Sequence, residues 1–544
     1  MARRSFRARG RSLAALVAAA GVLAACSATD PANQDGNGPT GQADRDAVLN
    51  VALGSDVDLF DPHQFRTDAA YVVTANVYEP LLRQEYDDEG GALQGSDRLA
   101  PGLAESWEVS EDGLEATFNL RQDAAFDDGT PVTSADVKYT FERAMLGPGY
   151  IQALLPFIGI SEPDQIETPD EHTVVLRPSF KSPLFERFMT FQVFGAINST
   201  VAQENATADD EWATEWLSDN LTSSSAYKVT EVNRGTETML EPNENYFGID
   251  DVANAGVRLR AVPDADQRAL LLRSGDLDVV DSLPPRLLPQ LEEDPNLTVH
   301  RLPSSRITYL GMNNTIGPLD DPLVRQAISY AVPYQAIIDQ VQFGYASPAK
   351  GPVPPAMQSS AGEELWPYDT DPEKARELLT EAGHDRISTQ LVVRQAQPQD
   401  TEAAVFIQEA LREVGIDVEI ERLPDAAYFQ RLNEHSLPMF LHDWFSWGED
   451  PFFQMTFLLK SGQFTNYADY ASPELDALLE EGTFELDQAR RDELSKQAQE
   501  IIINNAPWAF LYSADYVVAT RKEVSGVTRP FDQTLRFEYL SKAQ

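Results

Sequence analysis

Hydrophobic and polar residues alternate most regularly between residues 99 and 145, where the pattern predicts two strands followed by a helix. Apolar side chains at every second position are typical of half-buried strands, and here they are Trp107, Val109, Ala116, Phe118 and Leu120. Between these strands, the sequence Ser-Glu-Asp-Gly at 110–113 favours a turn in which Gly113 adopts a positive φ. Thr133 or Ser134 is then a suitable N-cap for a helix, whose apolar side consists of Val137, Phe141 and Ala144.

The rest of the chain alternates between short apolar segments and amphipathic ones. The predicted strands are 47–53, 226–229, 257–261, 277–280, 299–312, 391–393, 418–420, 439–444 and 507–520. The predicted helices are 70–82, 266–273, 321–332, 371–383, 401–414, 472–479 and 487–504. This alternation indicates an α/β protein in which helices cover sheets.

Two of the predicted strands, 299–312 and 507–520, are long extended segments, and we interpret them as crossings between two α/β lobes. Two crossings form a hinge, and the cleft that a hinge closes commonly holds a ligand. The length of 544 residues also exceeds what one hydrophobic core accommodates, which favours more than one domain.

Acidic residues outnumber basic ones by 87 to 42, which gives a formal net charge of −45. Such a surface repels phosphate backbones, so nucleic acid is not expected as a partner. We interpret the acidity as a means of keeping an exported protein in solution, although a salty habitat or a cationic substrate would also account for it.

The N-terminus has the features of an export signal. Arginines at positions 3, 4, 7, 9 and 11 precede an apolar run at 13–25 that is too short to span a bilayer, so 1–25 is predicted to be a signal peptide. The sequence Leu-Ala-Ala-Cys at 23–26 resembles the lipobox of bacterial lipoproteins, and Cys26 is the only cysteine in the chain. We therefore predict that Cys26 is acylated, that 26–46 is a flexible tether and that no internal disulfide forms. The protein would lie outside the cytoplasm, anchored to the cell membrane by this lipid, after export by the general secretory or the twin-arginine route.

Four linked phrases within residues 99–145 carry a family resemblance: SWEVS-x-DGL, FNLR, F-x-DGTPVT and ADV-x-x-x-FERA. In this order and spacing they resemble the extracytoplasmic solute-binding proteins of ABC importers, in the family of dipeptide-, oligopeptide- and nickel-binding proteins. Later phrases such as DPLVRQAISYAV resemble the same family, so the likeness extends from residue 47 to the C-terminus.

The resemblance implies an α/β fold of the type II periplasmic-binding-protein class, with two lobes, a hinge and an extra subdomain in the first lobe. We expect lobe I at 47–303 with the accessory subdomain at about 90–220, lobe II at 304–515, and a return to lobe I at 516–544. A member of this family binds a solute and delivers it to a membrane permease, while the ATPase is a separate chain. No bond is made or broken, so no enzyme activity is expected, and we expect a monomer.

The candidate ligand site is the sequence DWFSWGEDPFF at 443–453, where a predicted strand ends and a helix begins. Ligand sites in α/β clefts concentrate at such positions. In the family's peptide binders, a tryptophan ends this strand and an aspartate three residues later pairs with the peptide's free amino group. Trp444 matches that tryptophan, whereas Trp447 stands at the position of the aspartate.

This departure from the family pattern leaves several interpretations open. An amino group can be held against the Trp447 indole by cation–π attraction, or Glu449 or Asp450 can take the place of the aspartate. A ligand without an amino terminus, such as a sugar stacked on Trp444 and Trp447, is equally compatible. Phe445 can offer backbone groups to an extended ligand. Asp450 precedes a proline and is also a good helix N-cap.

The chain lacks the motifs of common catalytic and metal sites. No G-x-S-x-G, H-E-x-x-H or P-loop sequence occurs, and none of the six histidines lies three or four positions from another. We therefore predict no catalytic residue, no metal site and no cofactor. An oligopeptide is the expected ligand, with a saccharide or another polar solute as the alternative. An extracytoplasmic hydrolase such as a glycosidase, which needs two facing carboxylates, and a signalling binder that transports nothing are further alternatives.

Overall fold

A computed structural model describes residues 44–89 and 92–543 of the chain. The predicted signal peptide, the predicted acylation site at Cys26 and the tether up to residue 43 lie outside the described residues. Strands and helices alternate through the described part, as the hydrophobic pattern predicts.

The described residues contain twenty-two β-strands. In chain order they are β1 (Val48–Leu53), β2 (Leu82–Glu89), β3 (Ala92–Pro101), β4 (Ala104–Val109), β5 (Ala116–Leu120), β6 (Ile166–Asp170), β7 (Thr173–Leu176), β8 (Tyr227–Asn233), β9 (Glu237–Pro242), β10 (Gly256–Ala261), β11 (Val279–Asp281), β12 (Leu297–Leu302), β13 (Arg306–Met312), β14 (Ala346–Pro348), β15 (Ile387–Arg394), β16 (Ile416–Leu423), β17 (Met439–Phe445), β18 (Trp508–Ala514), β19 (Tyr516–Arg521), β20 (Val524–Ser525), β21 (Val527–Arg529) and β22 (Ser541–Lys542).

Sixteen α-helices accompany these strands in the described residues. They are α1 (Asp68–Val77), α2 (Ser134–Leu146), α3 (Phe185–Phe188), α4 (Ser199–Asn205), α5 (Thr214–Asp219), α6 (Ala265–Ser274), α7 (Leu288–Glu292), α8 (Pro322–Ala331), α9 (Tyr334–Gln340), α10 (Gly362–Leu365), α11 (Pro372–Glu381), α12 (Pro398–Glu413), α13 (Asp425–Asn433), α14 (Pro451–Leu459), α15 (Pro473–Phe484) and α16 (Gln488–Asn505). Short 3-10 turns lie at Ile151–Ala153, Leu155–Phe157, Pro163–Gln165, Gln192–Phe194, Ile249–Asp251, Pro285–Leu287 and Phe537–Tyr539.

A seven-stranded sheet forms the first lobe, in the order β12-β19-β11-β1-β10-β9-β8. β1 lies at its centre and runs parallel to β10 and β11, whereas the outer strands pair antiparallel. A strand covered on both faces needs near-continuous apolar residues, and Leu49, Val51 and Ala52 of β1 are fully buried. The carboxyl ends of β1, β10, β11 and β12 therefore share one edge of this sheet.

A six-stranded sheet forms the second lobe, in the order β14-β18-β13-β17-β15-β16. β15 runs parallel to β16 and β17, and β13 runs antiparallel to β17 and β18. The ends of β15 and β17 and the start of β13 therefore meet at one edge of the sheet.

Two short connections join the lobes. The chain leaves the first sheet at Leu302 and enters the second at Arg306, and it returns between Ala514 and Tyr516. Arg301 and Asp515, which flank these connections, form an ion pair of 2.6 Å. Since each connection joins the edges at which parallel strands end, those two edges face each other across the hinge.

The first lobe carries an extra subdomain, which contains the four-stranded sheet β4-β5-β7-β6 and helix α2. Gly113 has a φ of 69° in the turn between β4 and β5, as the turn composition predicts. Thr133 is the N-cap of α2 and forms a capping box with Asp136, whose carboxylate accepts from the Thr133 N–H at 2.8 Å. Val137 and Phe141 are fully buried in the core of the subdomain.

Two smaller sheets, β2-β3-β21 and β20-β22, complete the described part of the chain. β21 comes from the returning segment and pairs parallel with β3, so the segment after the second connection is joined to the first lobe. None of the helices in residues 44–89 and 92–543 is long and apolar enough to cross a membrane.

The structure corrects several predicted elements. The helix predicted at 70–82 is α1, which ends at Val77 because Pro80 has no backbone N–H and disfavours a helical residue before it. Leu82 instead begins β2, which forms a hairpin with β3. The sequence of β2 is mostly charged and polar, so no alternation of apolar and polar residues predicts this strand. The strands predicted at 299–312 and 507–520 are each divided in two, with one part in each large sheet. The other predicted strands and helices are present, with ends that differ by a few residues.

Candidate ligand-binding site

The predicted site comprises the end of β17, the loop that follows it and the start of α14, at the edge of the second sheet that faces the first lobe. Asp450 determines where α14 begins, because its Oδ1 accepts from the backbone N–H groups of Phe452 and Phe453 at 3.0 and 2.9 Å. Pro451 occupies the first turn, where its missing N–H is not needed. The predicted helix cap at Asp450 is therefore confirmed.

Trp444 and Trp447 lie beside each other at the junction of the lobes. Their ring centroids are 6.1 Å apart with an interplanar angle of 36°. Both half-buried indoles pack against one hydrophobic cluster, which contains the core of the extra subdomain together with Phe453 and Phe457 of α14. Trp447 also lies 6.3 Å from the ring of Tyr150 in the first lobe, and Trp444 stacks on Phe457 of α14 at 5.5 Å. Trp447 thus contacts the first lobe directly, while Trp444 packs on Trp447 and on α14 of its own lobe.

Phe445 completes a group of three aromatic side chains, which we call the aromatic wall (Trp444, Phe445 and Trp447). Its ring centroid is 6.0 Å from that of Trp447, at an angle of 66°. The guanidinium of Arg306 lies 5.2 Å from the Phe445 ring centroid. Arg306 and Phe445 are register partners in the β13–β17 ladder, so the backbone positions this contact.

Aromatic residues of the first lobe continue from the aromatic wall. Tyr150 contacts Phe65 at 5.3 Å between centroids, and Phe65 contacts Tyr71 at 4.7 Å. The Tyr71 hydroxyl donates to Asp532 at 3.3 Å, and Asp532 forms an ion pair of 2.7 Å with Arg536. The two lobes therefore meet through an aromatic line that ends in a paired carboxylate.

Glu449 forms an ion pair with Arg529, which belongs to β21 in the first lobe. The Glu449 side chain is 14% exposed and that of Arg529 is 3% exposed. Burial raises the pKa of Glu449, while Arg529 opposes that shift by favouring the charged carboxylate. Glu449 also has a φ of 44°, unusual for a residue with a side chain, so its conformation is held by these surroundings. Arg187 of the extra subdomain fixes the same loop by donating to the carbonyl oxygen of Gly448 at 2.6 Å.

Asp450 is fully engaged within the second lobe. Besides capping α14 with Oδ1, it accepts from Nη2 of Arg491 at 2.8 Å through Oδ2. Both side chains of this ion pair are buried. Of the five residues predicted to bind the ligand, the structure thus brings together the aromatic wall, whereas it gives Glu449 and Asp450 arginine partners.

Two arginines next to the aromatic wall, Arg306 and Arg394, escape prediction from sequence, whereas their partner Asp443 lies within the predicted stretch 443–453. Asp443 accepts from Arg394 at 2.5 Å and also pairs with Arg306. These two arginines hold the pKa of Asp443 well below its usual range against the opposing effect of burial. Arg306 begins β13 and Arg394 ends β15, at the same edge as the end of β17. Arginine at a strand end that faces a hinge is the signal that would have identified them.

A buried carboxylate lies behind this cluster. Asp400, in the first turn of α12, is 3.4 Å from Arg394. Burial raises the pKa of Asp400 to about 7, with Arg394 lowering it and Asp443 raising it further. Asp400 therefore changes charge near neutral pH, unlike Asp443.

Several buried N–H groups at the junction have no acceptor among the described residues. They are Nε1 of Trp444, Nε1 of Trp447 and Nε of Arg529. In the part of the chain that the structure describes, the hydroxyl of Ser446, which is fully buried in the same loop, and Oε1 of Glu449 also have no hydrogen-bond partner. A buried donor without an acceptor is destabilising, so these donors are suited to a ligand that supplies acceptors.

Nothing in the described residues points to metal binding at this site. His442 precedes the site in β17, and burial lowers its pKa to about 4, which keeps it neutral. Within residues 44–89 and 92–543, no group of three or more His, Cys, Asp or Glu side chains is arranged to hold a metal ion. A separate cavity of about 50 Å³ in the first lobe is lined by Glu79, Arg83 and Glu538 among others, and none of the five predicted site residues lines it.

Comparison with known families identifies the class of protein. The model of the bacterial extracellular solute-binding proteins, family 5 Middle, matches residues 98–466. The chain belongs to this family. It is therefore an extracytoplasmic solute-binding protein and not an enzyme, which confirms the family and the absence of catalysis that the sequence predicts.

Curated relatives align with this solute-binding protein over most of its length. The probable D,D-dipeptide-binding periplasmic protein DdpA of Escherichia coli is 30% identical over 503 residues, covering 91% of this chain and 94% of DdpA. The glutathione-binding protein GsiB of Pectobacterium atrosepticum is 29% identical over 511 residues, covering 91% of this chain and 94% of GsiB.

Solved structures show the same fold. The ABC transporter-associated periplasmic binding protein DppA from Helicobacter pylori, in complex with peptide STSA, has a TM-score of 0.80 and 26% identity, covering 92% of this chain and 98% of that one. A dipeptide binding protein from Pseudoalteromonas sp. SM9913, in complex with Met-Leu, has a TM-score of 0.79 and 21% identity, covering 91% of this chain and 100% of that one. The predicted two-lobed type II periplasmic-binding-protein fold is thereby confirmed.

Proposed function

We propose that this solute-binding protein captures peptide-like solutes between its lobes and delivers them to an ABC permease driven by a separate ATPase. The observation that carries the proposal is the aromatic wall, which the second lobe presents at the junction with the first lobe. The names of its relatives support the ligand class, since DdpA is described as D,D-dipeptide-binding and GsiB as glutathione-binding. The structure of DppA with a bound tetrapeptide agrees with them.

Within this proposal, Trp444, Phe445 and Trp447 contact the ligand. Large aromatic faces at a lobe junction provide apolar area and, at Trp444 and Trp447, a hydrogen-bond donor. Glu449 and Asp450 are also candidates from the sequence, but Glu449 pairs with Arg529 and Asp450 pairs with Arg491. Because each carboxylate already has a buried arginine partner, we assign to both the role of holding the loop and the lobes in place.

The domain organisation that we propose is lobe I at 47–303, with its accessory subdomain at about 90–220, lobe II at 304–515 and a return to lobe I at 516–544. The positions at which the chain changes sheets support these boundaries. We propose further that acylated Cys26 and the tether 26–46 hold a monomer at the membrane surface, close to the permease.

Native mass spectrometry of the intact chain purified from its host tests this function. We expect a co-purified ligand with a peptide mass, released when the protein is denatured. A ligand with hexose masses would instead favour the saccharide alternative, which the paired indoles also permit. If the Trp447→Ala variant co-purifies with the same ligand at full occupancy, the ligand site lies elsewhere.

A further inference from the structure

The carboxylates beside the aromatic wall are engaged within the protein. Four of them pair with arginines, and the pairs are Asp443 with Arg306 and Arg394, Asp400 with Arg394, Glu449 with Arg529, and Asp450 with Arg491. Removing one partner from a buried ion pair leaves the other charge uncompensated, which is strongly destabilising. An amino group that binds at the junction of the lobes is therefore better received by a different carboxylate.

Asp281 lies on the other side of this junction, where it ends β11 of the first lobe. The strands β1, β10, β11 and β12 end at one edge of the first sheet, and this edge faces the second lobe. The Asp281 side chain is half-buried, so part of it remains accessible from the space between the lobes. Within residues 44–89 and 92–543, no lysine, arginine or histidine forms an ion pair with it.

The positive group that acts on Asp281 is Arg268, and its hydrogen bonds go elsewhere. The Arg268 guanidinium donates at 2.7, 3.0 and 3.3 Å to the backbone carbonyl oxygens of Val262, Pro263 and Ser282. Burial and the neighbouring carboxylate of Asp68 raise the pKa of Asp281 to about 6, and Arg268 only partly opposes this shift. Asp281 is therefore ionised above neutral pH without a bonded cation, and a protonated amine would supply one.

The Tyr516 hydroxyl provides a second polar group beside Asp281. Val518 is the register partner of Asp281, and Tyr516 precedes Val518 by two positions in β19, so the three side chains project from the same face of the sheet. Burial, and then the carboxylates of Asp281 and Asp532, raise the pKa of the Tyr516 hydroxyl, which therefore lies within electrostatic reach of both carboxylates. This hydroxyl is buried and has no hydrogen-bond partner in the part of the chain that the structure describes. A ligand group that donates to it would remove the cost of leaving it unsatisfied.

From these observations we infer that the first lobe binds the protonated amino group of the solute, with Asp281 as the residue that determines this preference and the Tyr516 hydroxyl as a second acceptor. The inference rests on the proposed function, since it names the group of a peptide-like solute that lies against the first lobe. The aromatic wall then covers the solute from the second lobe. The tryptophan that stands at position 447 in place of an aspartate is compensated by a carboxylate of the facing lobe.

Isothermal titration of the intact chain with matched peptides at about pH 7.5 tests the inference. The probes are D-Ala-D-Ala, Ser-Thr-Ser-Ala and glutathione, each compared with its amino-acetylated form. Acetylation removes the positive charge and leaves every carboxylate of the peptide unchanged. We expect it to weaken binding by about 10- to 100-fold, because one charge-assisted hydrogen bond to a partly buried carboxylate is lost.

Variants of the first lobe then assign the preference to Asp281. Asp281→Asn should weaken binding of the unmodified peptides by about 10- to 100-fold and change binding of the acetylated peptides by less than about threefold. Tyr516→Phe keeps the ring and removes the hydroxyl, so it should weaken binding of the unmodified peptides alone by about 3- to 10-fold, and it supplies the same comparison if Asp281→Asn does not fold. Asp276→Asn is the matched control, because Asp276 is exposed and lies before the start of the strand that Asp281 ends.

Failure of the inference and failure of the proposed function give different results. If none of the unmodified peptides binds, the proposed function is wrong and the inference falls with it. If acetylated and unmodified peptides bind equally well, peptides are ligands but their amino group is not recognised, and the inference is overturned. An equal effect of Asp281→Asn on both forms of the peptide, no effect on either form, or the same loss in Asp276→Asn would also overturn it.

Discussion

Glu449 of the second lobe and Arg529 of the first lobe form an ion pair at the junction of the two lobes. The Arg529 side chain is only 3% exposed, so solvent screens this pair weakly. Because its partners belong to different lobes, opening of the hinge would separate them. We therefore expect the pair to favour the closed arrangement of the lobes.

Glu449→Gln should shift the protein toward an open conformation. Removing the charge leaves Arg529 without its anion, which disfavours the closed state. We expect the radius of gyration of the ligand-free protein in small-angle scattering to increase and ligand affinity to fall by about 5- to 50-fold. Glu421→Gln is the control, because Glu421 pairs with Arg431 inside the second lobe. An unchanged radius of gyration together with unchanged affinity would contradict a role in closure.

Trp447→Ala should reduce ligand affinity strongly while the fold is retained. Trp447 joins Trp444 to Tyr150 of the first lobe, and an aromatic residue at the centre of an interface typically contributes the most to binding. We expect a loss of about 10- to 100-fold in affinity by calorimetry. Trp447→Phe keeps an aromatic ring but not the N–H, and should retain more affinity than the alanine variant. If Trp447→Ala and wild type bind equally, the aromatic wall is not the ligand site.

Local patterns predict much of this fold, because they report short-range physics. The turn at Gly113, the N-cap at Thr133 and the N-cap at Asp450 each depend on residues within a few positions, and all three are present. The helix predicted at 70–82 ends early, at Val77, because of Pro80. The prediction is too long because it follows the apolar spacing and gives too little weight to the proline.

The charges of the site depend instead on residues far apart in the chain. Arg306 and Asp443 are separated by 137 positions, and no local pattern relates them. The partner of Glu449 is Arg529, which lies beyond the second crossing. In the sequence, Glu449 therefore has no evident partner, although it is paired in the folded protein. This is why the sequence predicts the aromatic wall as a ligand site but does not predict the arginine partners of its carboxylates.

Asp400→Asn should stabilise the protein at neutral and higher pH. Burial raises the pKa of Asp400 to about 7, against about 3.9 in an unfolded chain. Between these values the folded state holds a proton that the unfolded state has released, so this group lowers stability as pH rises from about 4 to about 7. An asparagine cannot ionise, so the free energy of unfolding of the variant relative to wild type should rise by about 1–3 kcal/mol between pH 5 and pH 8.

The control for Asp400 is Asp417→Asn. Asp417 is exposed, and its hydrogen bond with Arg386 lowers its pKa, so it is ionised in both states throughout that pH range. The difference in the free energy of unfolding between Asp417→Asn and wild type should be the same at pH 5 and pH 8. Urea unfolding followed by circular dichroism at both pH values gives the comparison, and a pH-independent difference for Asp400→Asn would show that Asp400 is ionised in the folded state.

Asp450→Ala should destabilise the second lobe far more than the loss of an ordinary helix cap. Asp450 caps α14 and also neutralises Arg491, and both side chains are buried. Loss of a cap costs about 1 kcal/mol, whereas a buried charge left without its partner costs about 3–5 kcal/mol.

Asp321→Ala is the matched control for Asp450→Ala. Asp321 caps α8 by accepting from the Leu323 N–H, and no ion pair between Asp321 and an arginine is found in the described residues. We expect a fall of about 4 kcal/mol in the free energy of unfolding for Asp450→Ala and about 1 kcal/mol for Asp321→Ala, measured by urea denaturation. Asp450→Asn, which retains the cap but not the charge, should lie between them, and equal losses in all three variants would show that Arg491 does not depend on Asp450.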